Sequence, residues 1–149
     1  MKQGFKLLVV LLMTLLLTVS ATAQINWLKQ DGGVKYLAWD DGSHSKSIYK
    51  GNSATFATGY FGSTANPKTV HMTVTINSKA DGKMVSTIVS KNVDVANSLG
   101  YQVITVLPEH YKNNIGEYII VIKLQDANSE LVDTSLYLKV NQTFIIKIP

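Results

Sequence analysis

"TVHMTVTI", residues 69–76, alternates without a break: Val70, Met72, Val74 and Ile76 fall on one side, Thr69, His71, Thr73 and Thr75 on the other. A period of two between apolar and polar side chains marks a strand with one face in a core and one in water. "NSKADGK" follows, and its Asp81-Gly82 signals a hairpin turn leading into a second such run, "MVSTIVS". Upstream, "VKYLAW" (34–39) leads through the turn-rich "DDGSHSKS" to "IYKGNSATFATGYF", where Ala54, Phe56 and Tyr60 share a face. "STANPK" is then a loop, broken by Pro67. Downstream, "YQVITVL" (101–107), "EYIIVIKLQ" (117–125), "LVDTSLYLKV" (131–140) and "TFIIKI" continue the series.

No segment keeps a helical period; "KNVDVANSLG" and "PEHYKNN" leave room for one helical turn at most. About seven to nine short strands with regular turns predict an antiparallel β-sandwich, two sheets roughly 10 Å apart. The unbroken apolar run Tyr118 to Ile122 departs from the alternation. It predicts a central strand covered on both faces, the alternative being an exposed patch used for assembly.

The residues that punctuate the strands resemble a known group. Gly51 stands before the second of the longer strands, Asp81-Gly82 makes a hairpin, Gly116 and Tyr118 open the penultimate strand, and Asp126 to Glu130 form an acidic turn before the last. Over residues 47–140 this resembles the immunoglobulin-like modules of bacterial and archaeal surface proteins, of the CARDB and fibronectin type III kinds. The resemblance implies an immunoglobulin-like β-sandwich and a habit of binding or spacing at cell surfaces. It transfers no catalytic residue. The Cys pair and the core Trp of antibody domains have no counterpart.

The start of the chain sets the expected address. Lys2 and Lys6 precede an apolar run from Leu7 to Val19, followed by Ala21-Thr22-Ala23. This is the anatomy of a secretory signal peptide, residues 1–23, cut after Ala23. At 13 residues the run is short for a permanent span of a ~30 Å hydrocarbon layer. "KQGF" resembles the Gly-Phe cleavage site of type IV prepilins, but Val9 stands where those helices carry Glu. The expectation is a single domain, residues 24–149, working outside the cytoplasm: secreted, at the cell surface or in a periplasm.

Composition narrows the partners. Without Lys2 and Lys6 there remain 12 Lys against 10 acids, and the sequence has no Arg. Guanidinium forks are the usual readers of guanine and phosphate, so nucleic acid is not an expected partner. There is no Cys, hence no disulfide and no thiolate chemistry, and a domain of this length can build a core without either.

Motifs that could carry chemistry are few. Asp126, Asn128 and Glu130 place oxygen ligands at alternate positions on a turn, as calcium requires; six to eight oxygens are needed, with only Asp133 and Glu109 as extras. No cofactor is otherwise expected. Asp40-Asp41-Gly42 reads as a turn. His44, His71 and His110 lack metal-ligand spacing, and His71 reads as a surface residue among threonines. Ser43-His44-Ser45-Lys46 matches the S-x-x-K of β-lactamases without the helix or companion motifs that make it work. Thr69, Thr73 and Thr75, with Ser53 and Thr55, suggest a hydroxyl-lined face. Most of Tyr36, Trp39, Tyr49, Tyr60, Phe61 and Tyr111 are expected in the core.

The end of the chain repeats the alternation, with Phe144, Ile146 and Ile148 on one side. Residues 143–149 are therefore expected to form one more strand, paired within the domain or added to a neighbour's sheet edge. Together these readings predict a non-catalytic binding or structural module whose partners are proteins or carbohydrates at a cell surface. A subunit of a strand-exchanged assembly is the first alternative, a small hydrolase or metal-dependent enzyme the second.

Overall fold

The turn signals divide the chain into eight strands: β1 (Gly32–Trp39), β2 (Ser45–Tyr49), β3 (Ala54–Gly62), β4 (Lys68–Ser78), β5 (Met84–Val95), β6 (Leu99–Val106), β7 (Gly116–Gln125) and β8 (Glu130–Asn141). The computed structural model describes residues 32–62, 68–95, 99–127 and 129–143. The expected signal peptide and the apolar end, Phe144, Ile146 and Ile148, lie outside the described residues. Among those described there is no helix, and "KNVDV", which left room for a helical turn, belongs to β5.

The strands form two sheets, of order β1-β3-β6 and β2-β8-β7-β4-β5. The fold is all-β and is an immunoglobulin-like sandwich. All pairings are antiparallel except that of β2 with β8. "IYKGNSATFATGYF" is not one strand. It closes β2, turns at Lys50–Ser53 with Gly51 at φ 92°, and opens β3 in the opposite sheet. A positive φ of this size is cheap only for glycine.

The inner faces follow the alternation. Val70, Met72, Val74 and Ile76 of β4 are buried, as are Tyr118, Ile120, Ile122 and Leu124 of β7 and Leu136, Leu138 and Val140 of β8. Leu37, Trp39, Phe56, Tyr60, Ile104 and Val106 meet them from the smaller sheet. A tryptophan therefore does fill the core, but from β1. Trp39 packs edge-on against Phe56 at 5.5 Å, and its Nε1 donates to the Tyr137 carbonyl of the other sheet at 2.9 Å. Such a bond satisfies the indole N–H that burial would otherwise leave costly.

β7 is the middle strand of the larger sheet, as the Tyr118–Ile122 run requires. The expected cover on its outer face is not found among the described residues: Ile119 and Val121 are half-buried. The register sets Ile119 beside Tyr137 of β8 and Val121 beside Thr75 of β4, so cross-strand neighbours shield them.

Candidate functional site

The predicted hydroxyl face is split by the topology. Thr69, Thr73 and Thr75 lie on β4 in the larger sheet, whereas Thr55 lies on β3 in the smaller, where its Oγ1 is 3.1 Å from that of Thr105. Strands adjacent in sequence here belong to different sheets, so their wet faces point away from each other. His71 is held on the outer face of β4, its Nδ1 2.9 Å from Asn92 Oδ1 and its Nε2 2.9 Å from Ser90 Oγ. Both ring nitrogens are thus engaged with β5, which is a structural use of the side chain.

The acidic turn is organised by its own residues. Asp126 Oδ1 accepts from the Ser129 amide at 2.7 Å and from its hydroxyl at 3.0 Å, and Glu130 pairs across the ladder with Lys123 at 3.4 Å. Asn128 lies outside the described residues. Glu109 sits in the β6–β7 loop at the far end of β7, a ten-residue strand, so ~30 Å separates it from this turn. Asp133 is three positions along β8 from Glu130, its Oδ1 accepting from the Ser135 amide at 2.9 Å. No group of three or more His, Asp or Glu side chains able to hold a metal occurs among the described residues.

Asp40-Asp41-Gly42 is the turn by which the chain passes from β1 in one sheet to β2 in the other. Lys46 pairs with Asp40 and, at 3.0 Å, with Asp41. Ser43 Oγ donates to Asp41 Oδ1 at 2.6 Å. That hydroxyl first, then the Ser43 amide and Lys46, hold the Asp41 carboxyl well below the usual carboxylate range. The S-x-x-K residues thus lie on a turn and a strand start, with Ser43 and Lys46 tied to the same carboxylate.

Two features of the surface were not legible as sites. The first is on the outer face of the smaller sheet, where the register aligns Tyr36, Gly59 and Tyr101 in one row. The two rings stack at 6.5 Å with 30° between their planes, closing over a residue that has no side chain. They remain 45% and 55% exposed, and Val103 lies on the same face one outward row away. Tyr36 thus departs from the core placement expected for most of the aromatics. Trp39, Tyr60 and Tyr111 are buried as expected, while Tyr49, like Tyr36, is exposed.

The second is a groove of about 590 Å³ at one pole, between the β4–β5 turn and the β6–β7 loop. Its floor includes Tyr111 and Tyr118, and its apolar wall includes Met84, Val85 and Ile115. Met84 and Ile115 are 61% and 58% exposed. Lys83 and Lys112 stand with Asp81 and Glu117 on the same lining. The loop is pinned by Tyr111, whose hydroxyl donates to the Asn52 carbonyl and accepts from the Gly51 amide, each at 2.9 Å. Tyr118 donates to the Asn114 carbonyl at 3.1 Å, and burial pushes its phenol above the ordinary value.

No family model matches the sequence. No curated protein matches it either. Solved structures share the fold at very low identity. A β-glucosidase from Listeria innocua in complex with glucose aligns with a TM-score of 0.51 and 9% identity over 78% of this chain and 16% of that one. A Niemann-Pick type C2 protein from the Japanese carpenter ant aligns at 0.52 and 9%, over 75% and 94% of the two chains. A CARDB domain from Pyrococcus furiosus, in complex with di-metal ions, gives 0.48 and 10% over 75% and 90%. The chain spans only about a sixth of the β-glucosidases it resembles. Likenesses at this level concern the fold alone. No helix among the described residues is long and apolar enough to cross a membrane.

Proposed function

We propose that this chain is an exported, non-catalytic immunoglobulin-like module that binds a protein or carbohydrate at or outside the cell surface. The observation that carries this reading is the exposed tyrosine pair over Gly59. Large aromatic rings left in water on a sheet face, beside an exposed valine, are the kind of surface that partners cover. The turn residues that resemble surface modules of the CARDB and fibronectin type III kinds support the same reading, and the leader-like first 23 residues support export.

The test is to express the full sequence in its own cells, sequence the N-terminus of the product, and measure binding to isolated cell-envelope material. The product is expected to begin at Gln24, outside the cytoplasm, and to bind. Tyr36→Ala with Tyr101→Ala is expected to weaken binding by roughly tenfold or more. A product that keeps Met1 in the cytoplasm, or starts at Phe5, overturns the export reading. Undiminished binding by the double variant overturns the tyrosine surface.

A second reading is an assembly built by strand exchange. β2 covers β8 only from Tyr137 to Asn141, so residues 131–136 of β8 have β7 as their one ladder partner among the described residues. Such an edge can accept a strand from another chain. Concentration-dependent light scattering separates this from a monomeric binder. The hydrolase or metal-enzyme reading predicts stoichiometric metal, or hydrolysis of a reporter ester, in the purified protein.

A further inference from the structure

We infer that the groove between the β4–β5 turn and the β6–β7 loop is a binding site for a small molecule with an apolar body and one carboxylate, the carboxylate meeting the ammonium of Lys112. The inference stands apart from export and from the tyrosine surface, which is on the outer face of the smaller sheet. A groove of about 590 Å³, apolar over much of its lining and carrying a few polar groups, has the size and character of a small-molecule site.

The backbone of the β6–β7 loop is strained where it borders the groove. Lys112 and Asn113 follow one another with φ of 52° and 49°, the left-handed region that glycine enters freely and lysine does not. Neighbours hold the conformation. The Asn113 amide donates to the Pro108 carbonyl at 2.7 Å, and the Asn114 amide to the Tyr111 carbonyl at 3.1 Å. The Tyr118 hydroxyl then donates to the Asn114 carbonyl at 3.1 Å. Glycine at position 112 would meet the same backbone demand without strain, yet the sequence places a long cation there, on the groove lining. Strain maintained in this way is a mark of ligand clamps.

The other charges of the lining leave that cation free. Asp81 accepts from the Lys83 amide at 3.2 Å and lies 3.5 Å from its ammonium. Glu117 accepts from Lys79 at 2.9 Å, a bond that holds its carboxyl below the usual carboxylate range. Glu109, three residues before Lys112, is not on the lining. Among the described residues the Lys112 ammonium has no ion-pair or hydrogen-bond partner, and neither has the carboxamide of Asn114 on the same lining. An ammonium and a carboxamide without acceptors, beside a wall of Met84, Val85 and Ile115, match a carboxylate carried on an apolar body. One unpaired cation suits one negative charge, which a phosphate monoester exceeds.

Decanoate and decylammonium share an apolar body and differ in the sign of the head, so they test the assignment on protein purified from its own cells at low ionic strength. Calorimetry is expected to show one saturable decanoate site below the micelle concentration, with decylammonium bound about tenfold more weakly. Amide resonances of Met84, Val85 and residues 112–115 should shift on titration, while those of residues 101–105 stay in place. Lys112→Gln should weaken decanoate about fivefold, the size of one exposed ion pair, without weakening decylammonium. Met84→Ser should weaken both probes alike. Equal affinity for the two probes, or undiminished decanoate binding by Lys112→Gln, overturns the role of the cation. Binding only above the micelle concentration, shifts confined to other parts of the chain, or full affinity in Met84→Ser overturns the groove as the site.

Discussion

Replacing Tyr111 by phenylalanine removes one oxygen and leaves the buried ring in place. That oxygen makes two 2.9 Å bonds, donating to the Asn52 carbonyl and accepting from the Gly51 amide, and so ties the β6–β7 loop to the β2–β3 turn. Each bond is worth about 0.5–1.5 kcal/mol net, and a buried group left unpaired costs about 1–3 kcal/mol. Gly51 and Asn52 are on the exposed turn, so water can recover part of the loss. The expected destabilisation is therefore about 2 kcal/mol, on the order of 6–12 °C in Tm for a domain of this size. Urea denaturation measures it, with an unchanged slope since little surface is added. Amide exchange locates it: the Gly51 amide should lose protection beyond the global change, while amides of β7 follow global stability alone. Immunoglobulin-like sandwiches often anchor a tyrosine hydroxyl to backbone at a corner. An unchanged Tm, with the Gly51 amide as protected as before, would refute the claim that this hydroxyl clamps the pole.

Thr58 is the converse case: it is buried, and its Oγ1 has no hydrogen-bond partner among the described residues. Thr58→Val should raise stability by about 1 kcal/mol in urea denaturation, and a loss of stability would show that the hydroxyl has a partner. Asp41 has a depressed folded-state pKa, so its contribution is present above the ordinary carboxylate range and lost as pH falls through the folded value. The Tm difference between the parent and Asp41→Asn should accordingly be small, for an exposed group, and shrink further towards pH 2; a difference that grows on acidification contradicts the network. Calcium should leave Tm nearly unchanged, because Asp126 already serves Ser129; a rise of several degrees that disappears in Asp126→Ala would establish a metal turn.

Much of the fold is local and therefore legible. The alternation of β4, β7 and β8 announces which side chains are inward, and Asp81-Gly82 announces its turn, with Gly82 at φ 70°. What sequence reading missed depends on which strands become neighbours. Thr55 joins Thr105 rather than Thr69 because β3 and β4 are in different sheets. Ile119 and Val121 look like residues awaiting a second layer, yet neighbours on β4 and β8 suffice. The stack of Tyr36 and Tyr101 needs β1 and β6 on either side of Gly59, a juxtaposition of residues far apart in the chain. The groove at the pole is likewise assembled from two separated turns, and nothing in either segment alone announces it.

The parallel pairing of β2 with β8 has a mechanical consequence. β2 comes early in the described chain and β8 late, and five residue pairs join them side by side. Tension drawing the start of β2, at Ser45, away from the end of β8 pulls these two strands lengthwise in opposite directions. Their ladder is then loaded in shear, with its bonds strained together, whereas an antiparallel hairpin pulled at its open end unzips one bond at a time. The rate of forced unfolding is set by the barrier to that concerted rupture rather than by equilibrium stability. A sandwich joined in this way bears load along its length, and single-molecule stretching should find it far stiffer in that direction than when it is pulled across the β4–β5 turn.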